Sequence, residues 1–232
     1  MDIKKIIVFF FVLLVVTSCK NHEYVTISGE ATDFNNKPLE NVAVELKNSS
    51  FKTIDSAITD KRGMYSFKAK KDYYFALTAV NKQDYRKTNL EFWAWNIPAD
   101  TNLNINIQYD KLEVYGVNVF LIQGAFPAYS IYLRPMSLTR VGENLQSQKF
   151  DKMAPIIDSV DLNISLDGKK LKIYSKQIVH EYARNQSMIG YFIQAEYQKP
   201  KDKHSPLEIV LFDRERKEYG AAKFYFPLSQ YH

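Results

Sequence analysis

Val160-Asp161-Leu162-Asn163-Ile164-Ser165-Leu166-Asp167-Gly168-Lys169-Lys170-Leu171-Lys172-Ile173-Tyr174 places two alternating segments on either side of an Asp-Gly pair. Val160, Leu162, Ile164 and Leu166 recur with period two, as a half-buried strand requires, and Leu171 and Ile173 resume the period. Asp and Gly both tolerate positive φ, so a two-residue link of this kind is the strongest short-range hairpin sign a sequence offers. The stretch therefore predicts antiparallel strands over residues 160–166 and 169–174. Around it the same grammar continues. Residues 112–122 and 128–133 bracket Gln123-Gly124-Ala125-Phe126-Pro127, where Gly and Pro punctuate the backbone. Residues 188–197, 207–212 and 221–226 bring the second half to about eight strands, enough for an immunoglobulin-like sandwich. Between 141 and 157 the β pattern lapses, and Leu145, Lys149 and Met153 fit one short helix.

The first half reads the same way. Residues 25–31 alternate, Pro38-Leu39-Glu40-Asn41 turns, and Val42, Val44 and Leu46 return to period two. Strands at 56–59 and 65–68 flank Asp60-Lys61-Arg62-Gly63, where Asp caps the turn and Gly takes a positive φ. Further strands are expected at 73–80, at 87–92, and at Leu103, Ile105, Ile107 and Tyr109. The fold class is all-β, with two consecutive β-sandwich domains over residues 24–110 and 111–232.

Ile27-Ser28-Gly29-Glu30-Ala31-Thr32-Asp33, Lys37-Pro38-Leu39-Glu40-Asn41-Val42-Ala43-Val44 and Thr59-Asp60-Lys61-Arg62-Gly63-Met64-Tyr65-Ser66-Phe67 together resemble a carboxypeptidase regulatory-like domain. The resemblance covers roughly residues 24–110 and implies a seven-stranded, transthyretin-like sandwich. It departs from the family pattern at Ala31, where a β-branched residue is common, and in a shortened approach to Tyr85. Such domains accompany metallopeptidases without performing their chemistry.

At the amino terminus, Lys4 and Lys5 precede eleven apolar residues, Ile6 to Val16, and then Thr17-Ser18-Cys19. A basic region, a short apolar region and small residues before a cut are the parts of a secretory signal. A spanning helix needs about 20 apolar residues, so this run is too short to remain as an anchor. With Cys19 in place it resembles a bacterial lipoprotein signal. That resemblance implies residues 1–18 as signal peptide, a lipid-modified Cys19, residues 19–23 as tether, and attachment to a membrane through the acyl chains. Two or three such chains hold a protein lastingly, where one holds it only marginally. Lys20 follows the cysteine in place of the Asp that retains enterobacterial lipoproteins at the inner membrane, so the outer membrane is the expected address, with the leaflet open.

Cys19 is the single cysteine, so its acylation leaves no thiol for a disulfide, a metal or catalysis. The fold must rest on packing, and 16 Tyr with 15 Phe supply rings that suit pleated surfaces. The net charge is +5, and removing Asp2, Lys4 and Lys5 with the signal leaves +4. Lysines at 68, 70 and 71, at 169, 170 and 172 and at 199, 201 and 203 alternate with acidic and turn residues, which describes solvated faces and not a nucleic-acid stripe. A weak attraction to anionic headgroups or acidic glycans is compatible with this balance.

The sequence offers no catalytic motif. Its four histidines, His22, His180, His204 and His232, stand at none of the zinc-peptidase spacings, and His180-Glu181 in a strand faces opposite sides. There is no nucleophile elbow and no Gly-rich phosphate loop. Asp158 and Asp161 read as strand-end acids. We therefore expect neither enzyme activity, cofactor nor metal. Phe92-Trp93-Ala94-Trp95 puts both tryptophans on one face of an extended segment. Either they fill the seam between the sandwiches, the preferred reading, or Trp93 and Trp95 form a ligand-binding platform. Arg134 and Arg140, after the aromatic turn at 125–129, are candidates for holding a carboxylate. Two functions follow: a non-catalytic envelope lipoprotein serving as a protein-interaction or scaffold module, or a surface glycan- or peptide-binding lipoprotein of a nutrient-uptake system. Regulatory-like domains are similar to modules of lipoproteins and outer-membrane transport systems in Bacteroidetes-type bacteria, which suits either.

Overall fold

The computed structural model describes residues 23–183 and 186–227, and the signal region, Cys19, Lys20 and His22 lie outside them, as does His232. Among the described residues the first half forms β1 (Tyr24–Thr32), β2 (Ala43–Lys47), β3 (Thr53–Ile58), β4 (Met64–Lys70), β5 (Asp72–Val80), β6 (Phe92–Ala99), β7 (Leu103–Asn104) and β8 (Ile107–Gln108). The second forms β9 (Leu112–Leu121), β10 (Ala128–Ser137), α1 (Leu138–Asn144), β11 (Val160–Leu166), β12 (Lys169–Lys170), β13 (Ile173–Ala183), β14 (Gln186–Glu196), β15 (Leu207–Asp213) and β16 (Glu218–Phe224). The protein is all-β and built of sandwiched sheets.

The hairpins sit where the turn chemistry puts them. Asp167 and Gly168 both take positive φ, 53° and 77°, as a two-residue primed turn demands. Leu166 then pairs with Lys169. In the Asp60–Gly63 turn, the Asp60 carboxylate accepts the amides of Arg62 and Met64 at 2.8 and 2.9 Å. Gly63 has φ 75°, and a Cβ there would stand 2.4 Å from the Ala31 carbonyl, so glycine is required twice over. Buried Thr59 clamps the preceding turn: its hydroxyl accepts the Val42 amide and donates to the Leu39 carbonyl. Gly29 serves close approach, because a Cβ would meet the Ile105 carbonyl oxygen at 2.3 Å.

Three local expectations are corrected. The strand expected at 87–92 is instead a loop folded on the Asp84 carbonyl, which accepts the amides of Lys87 and Thr88, and the strand runs over Phe92–Ala99. The expected strand 169–174 breaks after Lys170: Leu171 bonds back to Ile164, and the chain crosses to another sheet as β13. The helix expected from Leu145, Lys149 and Met153 forms earlier, at Leu138–Asn144, because Ser137 caps it by accepting the Arg140 amide. A short 3-10 turn at Phe150–Lys152 then buries Met153.

The two sandwiches share one sheet. Its eight strands run β12-β11-β15-β16-β6-β5-β2-β3, and the join is the parallel pair β16–β6, with Ala222 opposite Trp93 and Phe224 opposite Trp95. A layer of β4, β1 and β7, with β8 beside β1, covers one face of the first half. Layer β13-β14-β10-β9 covers the other face of the second half. Side-chain parity in β6 proves the opposition: Phe92 and Ala94 belong to the first core, with Ile27, Val44 and Leu77, whereas Trp93 and Trp95 belong to the second, with Val114, Ile131 and Ile209. The stack is thus stepped. Each small layer leaves half of the long sheet uncovered on its own side.

Candidate functional site

The tryptophan pair fills the second core. Its rings stack at 4.9 Å and 11°, and Tyr115 of β9 meets both edge-on at 5.0 and 5.4 Å. Phe75 closes on Trp95 at 5.5 Å, and the Arg134 guanidinium lies 4.6 Å above the Tyr115 ring. Trp93 and Trp95 are 7% and 5% exposed, so neither ring presents a face on which a sugar could stack. The platform reading is corrected on that ground. The reason is the crossover of faces at β6, which turns the Trp side toward β9 and β10.

Beneath the pair lies a carboxyl that no motif announces. Glu113 of β9 is 4% exposed and accepts the Trp93 indole N–H at 2.8 Å, while its other oxygen has no protein partner. Burial pushes its pKa up to about 7, against the Trp93 hydrogen bond, which favours the ionised form. A second buried acid, Glu218, caps α1: Oε1 accepts the Thr139 amide and hydroxyl, and Oε2 the Ser137 hydroxyl. Glu218 and Asp213 flank the β15–β16 turn, and both are fully buried.

The other sequence candidates are spoken for. Arg140 pairs with Asp213 at 3.4 Å and Glu215 at 2.6 Å; Arg134 pairs with Glu181 at 2.8 Å. Neither guanidinium is free for a ligand carboxylate. His180 is exposed, with Nδ1 3.1 Å from the Ser187 hydroxyl, and Glu181 points the other way, to Tyr132 and Arg134. His204 bridges Asp100 and Asp202, at 2.6 Å from each. The Asp161 carboxylate lies 3.5 Å from Arg214, which also donates to the main-chain carbonyl of Asp158, so the cation binds one acid by its side chain and the other by its backbone. Among the described residues no group of three or more His, Cys, Asp or Glu is placed to hold a metal.

What the sequence did not announce is a groove at the step. Where the first layer ends over β16, its rim, Glu30, Asn36, Asn106 and Gln108, faces the uncovered sheet surface of Asn163, Ser165, Glu208, Val210, Ala221 and Lys223 across a cavity of about 460 Å³. Carboxamides dominate the rim. Asn106 accepts the Glu30 amide at 3.1 Å, and the Gln108 amide reaches Asn36 at 3.3 Å, so the rim is held by its own hydrogen bonds. Lys223 and Glu208 pair across the floor. At one end Phe34 stacks on Tyr219 at 4.8 Å, and Tyr219 on Phe212 at 4.3 Å. Groove residues come from β1, the β1–β2 turn, β8, β11, β15 and β16, so no contiguous motif could have revealed them.

A second hollow, about 680 Å³, lies at the end of the fold where β1 begins. Ile54, Tyr73, Tyr74, Phe75 and Pro227 line it with Lys70 and Asp72.

No family model matches this chain, and no curated protein does. Among solved structures, the major pilin subunit of Bacillus cereus and a variant of it align over 87% of this chain and 67% of theirs, at 11% identity and a TM-score of 0.28. A TM-score that low supports no inference about this protein.

Proposed function

We propose that this chain is a non-catalytic envelope lipoprotein, held to the outer membrane by lipid on Cys19, whose folded part binds another envelope protein as an interaction or scaffold module. The first half is then a carboxypeptidase regulatory-like unit of the kind its motifs resemble. The observation that carries the reading is the stepped groove: a trough between two β layers, with a carboxamide rim and a floor that mixes Val210 and Ala221 with Asn163, Ser165 and the Lys223–Glu208 pair. Recognition sites combine these features, and an extended segment of a partner fits a trough between two β layers. A photo-crosslinking residue at Asn163, introduced into the full chain in its own cells, should capture one discrete envelope protein. The same probe at Lys61, in the far β3–β4 turn, should not. Equal or absent capture at both sites would remove the groove from the proposal.

The carboxamide rim also favours the second reading, glycan or peptide binding for nutrient uptake, with the site moved from Trp93 and Trp95 to the groove. Asn and Gln side chains both donate and accept, as sugar hydroxyls and peptide groups require. Calorimetry of envelope glycans with the wild type and Asn163→Ala separates the two: saturable heat lost in the variant supports the glycan reading. Antibody labelling of intact and permeabilised cells assigns the leaflet.

A further inference from the structure

The strand directions place many turns at one end of the molecule, and this is also the end where the tether enters. Tyr24 pairs with Lys70, and Lys71 donates its amide to the Glu23 carbonyl at 2.7 Å, so the first described residue lies against the β4–β5 turn. Asn102 of the β6–β7 turn accepts the Thr26 amide at 2.8 Å. Asp100 of the same turn holds His204 of the β14–β15 loop, and Asp167 of the β11–β12 turn accepts the Lys201 amide at 2.9 Å. Phe126 of the β9–β10 turn packs on Tyr174 at 5.6 Å. Five turns or loops and the chain entry therefore share one surface.

That surface is unlike the rest of the exterior. Tyr24, Phe51, Tyr73, Ile122, Phe126 and Tyr174 are 50%, 46%, 43%, 49%, 72% and 40% exposed there. At the far end the exposed apolar side chains are aliphatic, Ile58, Met64, Leu145 and Ile156, and Tyr182 is the one exposed large aromatic there among the described residues. Among the aromatics stand Lys68, Lys70, Lys71, Lys170, Lys172, Lys199 and Lys201, all exposed and none in an ion pair among the described residues, against four carboxylates likewise in no ion pair, Glu23, Asp55, Asp72 and Asp167. Amphipathic rings with long-stemmed cations are the composition of a membrane interface: the rings occupy the headgroup layer, and lysine stems lie along apolar surface with the ammonium on phosphate.

We propose that this end is a bilayer-contact surface, on which anionic phospholipid headgroups receive the aromatic tips and the unpaired lysines, fixing the orientation of the globule. The proposal rests on the lipoprotein reading, because it takes its occupant from the tether. Lys20 to Glu23 are four residues, which span at most about 14 Å when extended. The interfacial zone beyond the hydrocarbon is about 5–8 Å deep on each side. A chain whose Cys19 carries acyl groups in the hydrocarbon therefore cannot lift this end far from the headgroups, and a protein partner would have to enter a gap of at most about 6–9 Å, less than the thickness of one packed β layer. The groove at the step is then carried on the flank of the molecule, free for its own partner.

Acylation of Cys19 removes the only native thiol, so single spin labels are attached cleanly to introduced cysteines. Full-length lipidated protein bearing Tyr73→Cys, Phe126→Cys or Lys61→Cys is incorporated into vesicles of phosphatidylethanolamine and phosphatidylglycerol. Relaxation by oxygen and by a water-soluble nickel chelate then reads the depth of each label. The expected result is an oxygen-to-nickel ratio several-fold higher at residues 73 and 126 than at 61. Equal, water-like ratios at all three sites on protein that floats with the vesicles overturn the contact surface and leave the lipid anchor standing. Failure to float overturns the anchor, and the surface with it. Labels at 73 and 126 that are shielded from both reagents, and more so as protein density rises, assign this end to a second copy of the chain instead.

Discussion

The two cores of this molecule are built by different rules. The first is built almost wholly from its own half: β1 pairs with β4 and, in parallel, with β7 and β8, β2 pairs with β3 and β5, and from the second half only Tyr225 and Ala221 pack into it. The second is borrowed. Its largest rings, Trp93 and Trp95, come from a strand of the first half, and its sheet is completed only when β16 lies beside β6. A core whose strands lie within residues 24–108 can close before the rest of the chain is present, whereas one that imports its centre depends on a contact between the two halves. Two sandwiches in one sheet are therefore neither independent domains nor one uniform core.

Cutting the chain breaks this comparison most severely. A fragment ending at residue 110 exposes both tryptophans and the free edge of β6, and it should recover as aggregate in a size-exclusion assay; a soluble, well-dispersed monomer would show that the first core needs nothing from the second. Next in size, Trp95→Ala should cost about 3–5 kcal/mol, as truncation of a core aromatic does. Hydrogen exchange locates the damage: protection should fall first in β9, β10 and β16, and an even fall across β1 and β4 would mean that the cores unfold as one.

Glu113→Gln sharpens the contrast through pH. Burial lifts the Glu113 carboxyl from the ordinary 4.5 to about 7, so the folded state binds the proton more tightly than the unfolded one. Stability is then greatest below 4.5 and declines as pH rises through 7. The glutamine variant keeps the Trp93 hydrogen bond and carries no charge, so it should be more stable than the wild type at pH 8, by up to about 3 kcal/mol, and equal to it near pH 4. Parallel melting curves at the two pH values check this, and an identical offset at both would detach Glu113 from the effect. The smallest change tests the first core alone. Gly29→Ala drives a methyl into the Ile105 carbonyl and should cost about 2 kcal/mol by overpacking, read as a shift in urea midpoint that leaves exchange in β9 and β10 untouched.

Legibility followed the same division. Where alternation and turn chemistry act over a few residues, as at 160–168 or 59–67, the sequence reading and the strands agree to within a residue or two. It misplaced β6 because Phe92-Trp93-Ala94-Trp95 is buried on both faces, and a strand covered on both sides carries no alternation to read. The parallel join of β6 to β16 has no local signature at all. The groove inherits that illegibility, since its walls come from both halves. The tryptophans were legible as a pair sharing a face. Which face that would be was decided by a layer whose nearest strand begins at Leu112.

The parallel join also orders events in time. Until residues 222–224 arrive, β6 is the outermost strand of an unfinished sheet, with unpaired backbone groups beside two large indoles. A chain that enters its folding compartment amino terminus first leaves that edge bare until the last strand has followed. Bare edges of this kind recruit other strands. The protein's vulnerable period therefore falls between the emergence of its first sandwich and that of its last strand, and a holding chaperone would be needed at the edge of β6 during that interval.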